Sequence, residues 1–376
     1  SAYSPTGNYF LNSTNIVAAP GCPADAIDPA DKQCKWDSLP TDGQATNSKR
    51  WALASNTHFR LGGDIDANLE LTAAGATTDY LLSAFATQAT SSSSIWYDML
   101  GGRTIGPFSY PKLPVGHPNN PYATPVEYRA RLMDTGDGFN FNRTTSQQYR
   151  AMLSLSGEVA GYDWKSAVGH MRSSADKDFR GISAQGYSDA IVNGTYRFGQ
   201  QNDPALLESM FPVRNTYGKA GITFFDATVS GEVAQLPAGP LRVALGTDIR
   251  RESYEMKSSD NVLRGELVSA FGLQVKDTVD HYALFTEATI PVVRRVELSA
   301  AVRADKTSNS DVHFSPKLGV RVEATDSLLL RATASGGFRA PNIVESGNGL
   351  GRGSYSTGVQ DYRRCPIANA LNAPVQ

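Results

Sequence analysis

Residues 311–341 read DVHFSPKLGVRVEATDSLLLRATASGGFRAP. Over 312–323 the apolar side chains fall on Val312, Phe314, Leu318, Val320 and Val322, while His313, Ser315, Lys317, Arg321 and Glu323 take the alternate positions. Successive side chains of a strand point to opposite faces, so this run is a strand with one apolar and one charged face. After 324–327 the pattern resumes, with Leu328, Leu330, Ala332, Ala334 and Phe338 on one face and Arg331, Thr333, Ser335 and Arg339 on the other. Two alternating runs joined by a short polar link predict an antiparallel hairpin.

The same alternation recurs along the chain. It runs through 50–61 and 64–73 around Gly62-Gly63, through 126–130, and through 149–158 and 163–168 around the turn 160–162. It continues through 217–232 and 241–250 around LPAGP, and through 282–290 and 297–305 around 291–294. Between these runs lie 1–47, 83–123, 173–215 and 255–276, rich in Gly, Pro, Ser and Asn and without period, which read as long loops. The run Ser91 to Ser94 is read as part of a loop rather than a linker, because strands of one kind lie on both sides.

Short turns thus alternate with long connections, and nearly every strand carries full charges on its polar face, where Arg242, Arg250, Arg303, Lys317, Arg321 and Arg331 stand with Glu232, Asp248, Glu297, Asp305 and Glu323. A sandwich buries its apolar faces against a second sheet. A membrane barrel turns the apolar faces to lipid and the charges inward, and needs strands of about 9–11 residues rather than the five or six common in soluble sheets. The expected fold class is all-β, an antiparallel transmembrane β-barrel with short periplasmic turns and long extracellular loops. Placing every short turn at one rim requires one more returning strand within 83–123, expected near 103–113 despite Pro107 and Pro111. The expected total is about twelve strands.

Composition narrows the function. The 376 residues carry a net charge of -2 with no Lys/Arg run, so nucleic acid is not an expected partner. No window approaches the roughly 18 apolar residues of a membrane helix, which excludes helical membrane proteins but not barrels. The chain opens without Met or an apolar leader, so a leader is expected to have been removed or the chain to be a piece of a longer one. Of three cysteines, Cys22 and Cys34 lie in the loop-like GCPADAIDPADKQC and read either as a disulfide, stabilising by roughly 3 kcal/mol, or as two free thiols. Cys365 is left over.

No catalytic constellation emerges, and no cofactor or metal is expected. The five histidines, at 58, 117, 170, 281 and 313, lack metal-ligand spacing. His58 and His313 sit on polar strand faces. The GLGRG of Gly349, Gly351 and Gly353 is not followed by a helical pattern, which disfavours a phosphate loop.

The segment SPKLGVRVEATDSLLLRATASGGFRAPNIVE resembles the signature of TonB-dependent outer-membrane receptors, with Gly337, Phe338, Arg339, Ala340 and Pro341 as its motif and 338–341 as the exit into an external loop. SPTGNYFLNSTNIVAAPGCP, CKWDSLPTDGQ, LPVGHPNNPYATPVEYR, LPAGPLRVALGTDIRRESY and PVVRRVELSAAVR look like the same family. The resemblance implies a 22-stranded barrel filled by a plug, of which this chain is an internal part, lacking plug, TonB box and last strands and not expected to close alone. It implies one barrel domain over 1–376, with 1–47 and 339–376 as extracellular loops and 48–338 as strands and loops. It implies a monomeric, non-enzymatic importer in the outer membrane of a Gram-negative bacterium. Its partners are the TonB complex through the N-terminal region, lipid and lipopolysaccharide, and a scarce solute such as a ferric siderophore or oligosaccharide. A passive porin or an adhesin is the alternative. Substrate contacts are expected among Trp96, Tyr97, Tyr110, Tyr355, Tyr362, Arg363 and Arg364, although aromatics near strand ends also form interfacial girdles.

Overall fold

A computed structural model describes residues 3–37, 46–87, 96–105, 108–343 and 350–351. In chain order, the short strands β1 (Asn8–Phe10) and β2 (Ile16–Ala18) precede the long strands β3 (Asn47–Arg60) and β4 (Asp66–Leu81). A hairpin of β5 (Trp96–Asp98) and β6 (Arg103–Ile105) and the short β7 (Glu127–Arg129) follow. Then come β8 (Phe141–Val159), β9 (Tyr162–Arg180), helices α1 (Ala184–Val192) and α2 (Pro204–Met210), β10 (Val213–Leu236) and β11 (Gly239–Ser258). The turn α3 (Asp260–Leu263) leads to β12 (Leu273–Val293), β13 (Val296–Thr307), β14 (His313–Thr325) and β15 (Leu328–Ser335), and β16 (Leu350–Gly351) pairs with the start of β12.

The main sheet is an antiparallel meander running β3-β4-β8-β9-β10-β11-β12-β13-β14-β15. Its ten strands replace the twelve expected, and the difference has one cause. The alternation at 126–130 is genuine, but β7 pairs with β1 in a separate three-stranded sheet. Among the described residues of 103–113 only β6 is a strand, paired with β5 and outside the main sheet. With both removed, the links 61–65, 160–161, 237–238, 294–295 and 326–327 fall on one rim, and the long connections fall on the other without a compensating strand. At 160–161 both central residues have positive φ (Ala160 52°, Gly161 82°), the geometry whose twist suits a two-residue hairpin.

Register keeps like faces together. Leu153, Val168, Phe225, Ile249 and Tyr282 are direct neighbours across five strands. One residue along, Ser154, Ala167, Asp226, Asp248, Ala283, Asp305 and His313 form a polar row on the opposite face. The apolar face is bare: Leu53, Leu284, Phe314 and Leu318 expose 64–70% of their surface. Water strongly disfavours so wide an apolar face, whereas lipid accommodates it.

The apolar band is about as tall as a bilayer core requires. On β11 it covers 241–249 and on β12 282–290, close to the roughly nine residues with which a tilted strand crosses. Both strands then continue past the band with polar outer faces carrying Arg251, Glu255, Asp280 and Lys276. Tyr162 and Trp164 flank the band at the short-turn end of β9, and Tyr149 and Tyr282 at the other end.

The upper edge of the band also slants across the register. On β3 it lies at Trp51 and on β14 at Phe314, yet the row of Phe314 traced through Ala304, Leu284, Thr247, Ala227, Ser166, Leu155 and Ala67 meets β3 at Phe59. The offset from Trp51 to Phe59 is about 26 Å along the strand over about 38 Å of sheet, an average slope of roughly 35° between the two end strands, with the edge level from β9 to β12. That is the tilt at which strands cross a membrane in a barrel. Nitroxide labels at Leu53 and Thr278 of the full-length protein check this, because the two share a register row. The slant predicts high oxygen accessibility at Leu53 and high accessibility to a polar nickel complex at Thr278, whereas an unslanted band gives both labels one environment.

Candidate functional site

The largest buried core lies among the long connections rather than in the sheet. Tyr9, Leu113, Tyr128, Tyr187, Ile191, Tyr196, Phe198, Met210 and Phe211 come together from 3–37, 82–140 and 181–212 as a cap at the long-loop rim. β1 is its organising strand, pairing β2 on one side and β7 on the other. Three buried tyrosine hydroxyls are satisfied: Tyr9 donates to the Asn119 carbonyl (2.8 Å), Tyr128 to that of Thr6, and Tyr196 to Asp134 Oδ1 (2.7 Å). Burial, with the Asp134 carboxylate beside it, pushes the Tyr196 phenol far above its ordinary range. Cys22 and Cys34 form a disulfide with Cα atoms 6.0 Å apart. Asn8 brackets Cys34, its Oδ1 accepting from the Cys34 amide (2.6 Å) and its Nδ2 donating to the Cys34 carbonyl (3.1 Å).

Two of the expected contact residues are built into this cap. Trp96 is buried, with Nε1 donating to the Gly265 carbonyl (2.8 Å), and so ties 82–140 to 259–272. Its ring begins an edge-to-face series through Phe108 and Tyr110 to Tyr187. Burial raises the Tyr110 phenol to about 12, so it stays a neutral packing group at any physiological pH. Tyr97 is half-buried on the opposite side of the β5 ribbon from Trp96. Asp98 beside it accepts from the Gly101 amide (2.6 Å) and pairs with Arg103 (3.1 Å), and these bonds hold its carboxyl below the usual range. Tyr355, Tyr362, Arg363 and Arg364 lie outside the described residues.

Arg180, the last residue of β9, joins cap to sheet. Its Nε donates to the Phe139 carbonyl (2.6 Å) and one amino group to that of Phe211 (2.8 Å), while both amino groups bind Glu208 (2.7 Å each). The guanidinium lies 3.8 Å over the Phe139 ring.

The second part of the site is the charged face of the sheet. Arg303 reaches Asp305 (2.8 Å) and Asp248 (3.5 Å), Arg250 reaches Glu252 (3.0 Å), and His281 lies 3.6 Å from the same Glu252. The residues after β15 lie against this wall: Phe338 stacks on His313 (3.8 Å, 14°), and Ile343 packs against Val275 and Val279. Phe338, which the alternation assigned to the outer face, therefore stands on the inner one. Gly336 and Gly337 end the strand alternation that assigned Phe338 to the outer face. A cavity of about 470 Å³ lies between this segment and the wall, lined by Asp248, Arg250, Glu252, His281 and Arg303. A wider hollow of about 840 Å³ opens along the same face, where small residues such as Ala52, Ala74, Ala175, Gly218 and Ala220 leave the wall smooth. The arrangement suits reversible binding of a polar solute, with cation and carboxylate pairs ready to exchange partners. Among the described residues no group of three His, Cys, Asp or Glu is placed to hold a metal ion.

The sequence reading found the wall charges but missed the motif's change of face and the cap core. The turn of Phe338 to the inner face carried no periodic signal. The cap joins residues as far apart as Tyr9 and Asn119, which no local pattern reports.

Residues 95–363 match the family model described as TonB dependent receptor-like, beta-barrel. No curated protein matches the chain. Among solved structures, the RagAB peptide importer in its closed-closed state aligns at TM-score 0.45 and 10% identity over 74% of this chain and 30% of that one. The FpvAI-pyocin S2 complex aligns at 0.42 and 14% over 78% and 36%. A mutant ferric enterobactin receptor, PfeA, from Pseudomonas aeruginosa in complex with enterobactin aligns at 0.27 and 12% over 81% and 46%. The chain spans less than half the length of each of these structures.

Arg180→Ala leaves two carbonyls and Glu208 unpaired and is expected to destabilise the cap by about 3 kcal/mol, read as lost amide-exchange protection in the full-length protein. The Arg180 hydrogen bonds hold the Glu208 carboxyl below its ordinary value. Its contribution is therefore complete above about pH 4.3 and lost as pH falls through the lower folded value. Acidification from about pH 5 to about pH 3 is expected to reduce cap protection in the wild type and to do so less in Glu208→Gln. Phe338→Ala is expected to raise exchange over 336–343 and leave β13 unchanged.

Proposed function

Because the chain belongs to the TonB-dependent receptor β-barrel family, we propose that it forms wall and mouth of an active-transport receptor in the outer membrane of a Gram-negative bacterium. The receptor binds a scarce solute outside the cell, a ferric siderophore, an oligosaccharide or a molecule of similar polarity, and releases it to the periplasm with energy delivered by the TonB complex. The observation that carries this reading is the combination of a slanting lipid-height apolar band with a charged inner wall beneath a folded cap. In this reading 48–338 supply the wall and the cap connections, and 1–47 and 339–376 belong to the outer side. The motif 337–341 lines the solute path, and Tyr97 is an expected contact residue partly open at the mouth. The protein acts by binding and release, without covalent chemistry, as a monomeric barrel surrounded by lipid and lipopolysaccharide.

The packed cap favours gated binding over the open pore of a passive porin. The full-length receptor reconstituted in proteoliposomes is expected to give no osmotic swelling with small sugars. Solute uptake by cells expressing it is expected to vanish on loss of TonB or on addition of a protonophore. Swelling in liposomes, or uptake that persists without TonB, contradicts the reading.

A further inference from the structure

The cap encloses a histidine away from the wall cavity. His117 is 4% exposed and lies in the connection between the bridged residues Leu113 and Val126. Its Nδ1 accepts from the Asn119 amide (3.0 Å), so the ring is neutral and carries its proton on Nε2. That nitrogen is buried and has no hydrogen-bond partner among the described residues. Asn119 in turn joins three parts of the cap. Its side chain exchanges two bonds with the Phe198 backbone (3.2 and 3.5 Å), and its carbonyl accepts from Tyr9 of β1 (2.8 Å). The neighbouring Asn120 holds 113–124 together by itself, donating to the carbonyls of Leu113, Pro114 and Thr124. Loss of the Asn119 bonds therefore parts the connection from its neighbours and leaves its own fold in place.

A proton on Nδ1 removes the acceptor and sets two N–H groups against each other. It also puts a cation in a buried site without a carboxylate partner, since the histidines that do pair with carboxylates are His58 and His281. The charged and titratable groups on the elements around His117 are Arg197 and Tyr196 on 194–202, Tyr9 on β1, Tyr128 on β7 and Lys112 on its own connection. The nearby Asp134 carboxylate is taken by Tyr196 and Asn202. Burial, and after it the charge of Arg197, hold the proton affinity of the ring below its ordinary value. An opened cap restores that affinity, so the closed cap binds fewer protons. Its full stability is present above about pH 6.5 and is lost as pH falls through the lower value of the closed state.

We infer that His117 is a proton-sensitive latch: the neutral ring positions Asn119 across β1 and 194–198, and the protonated ring releases it and parts these segments of the cap. The latch stands on the cap's own geometry, and only its consequence, solute access that depends on the acidity of the medium, rests on the transport reading above.

The test compares amide exchange of the full-length receptor at about pH 7.5 and about pH 5.5, corrected for intrinsic rates. Segments 8–10, 117–120 and 196–198 are expected to exchange several-fold faster at the lower pH, with a ceiling of about tenfold for one proton over one unit. β13 is expected to stay unchanged, and Glu208→Gln to keep the response. His117→Asn, whose amide oxygen stands in for Nδ1 without titrating, is expected to stay protected at both pH values. Unchanged protection in the wild type, or an equal fall in His117→Asn, overturns the latch. If His117→Asn is unprotected already at the higher pH, exchange of the wild-type His117 Cε1 hydrogen decides: a midpoint well below about 6.5 supports the latch, and one at or above it overturns it. A latch that responds as expected in a receptor whose uptake persists without TonB stands, while the transport reading falls.

Discussion

Everything else in this protein depends on the hydrogen-bonded register between neighbouring long strands. Side chains alternate with period two, so a slip of one residue on any strand would exchange its lipid-facing and inward-facing sets. From β3 to β15 the register instead aligns apolar with apolar and charged with charged. A sheet with one bare apolar face and one face bearing Arg250, Arg303, Asp248 and Glu252 has a stable place only where lipid meets a polar interior. Its outer strands β3 and β15 pair on one side only among the described residues. Lipid cannot satisfy an open edge, so pairing of both edges is a physical requirement of such a wall in a membrane.

The cap is a second folding unit laid over the first. It has what the sheet lacks, a buried aromatic core, a disulfide and two helices capped by Ser183 and Asp203. Connections of this length are often treated as mobile gates. Here Trp96, Tyr110 and Tyr187 link them in one ring series, and Arg180 fastens them to β9.

The sheet was legible in the sequence because period two is a local signal and recurs on every long strand. The same signal misled at Val126, Tyr128 and Ala130, which alternate as a strand and are buried, but in the cap. Alternation says that a residue is in a strand, not which sheet receives it, and the parity error of two strands follows from that alone. The site was less legible. Trp96 and Tyr110 were chosen as aromatics on loops, and only tertiary contacts across 169 residues, as from Trp96 to Gly265, decide that one of them faces inward. Conversely Arg250 and Arg303 were visible as wall charges, but their meeting with Phe338 depends on a change of face at Gly336 and Gly337 that no pattern announces.

The central claim is that the sheet is a tilted membrane wall whose lipid boundary crosses its register. Electron cryomicroscopy of the full-length receptor in a lipid nanodisc tests it most directly, by locating the outer edge of the bilayer on each strand. The account predicts that this edge meets β3 near Trp51, β9 to β12 near Val168, Phe225, Ile249 and Tyr282, and β14 near Phe314. A boundary that follows one register row all the way from β3 to β14, or lipid density against Asp248 and Arg303, would contradict it.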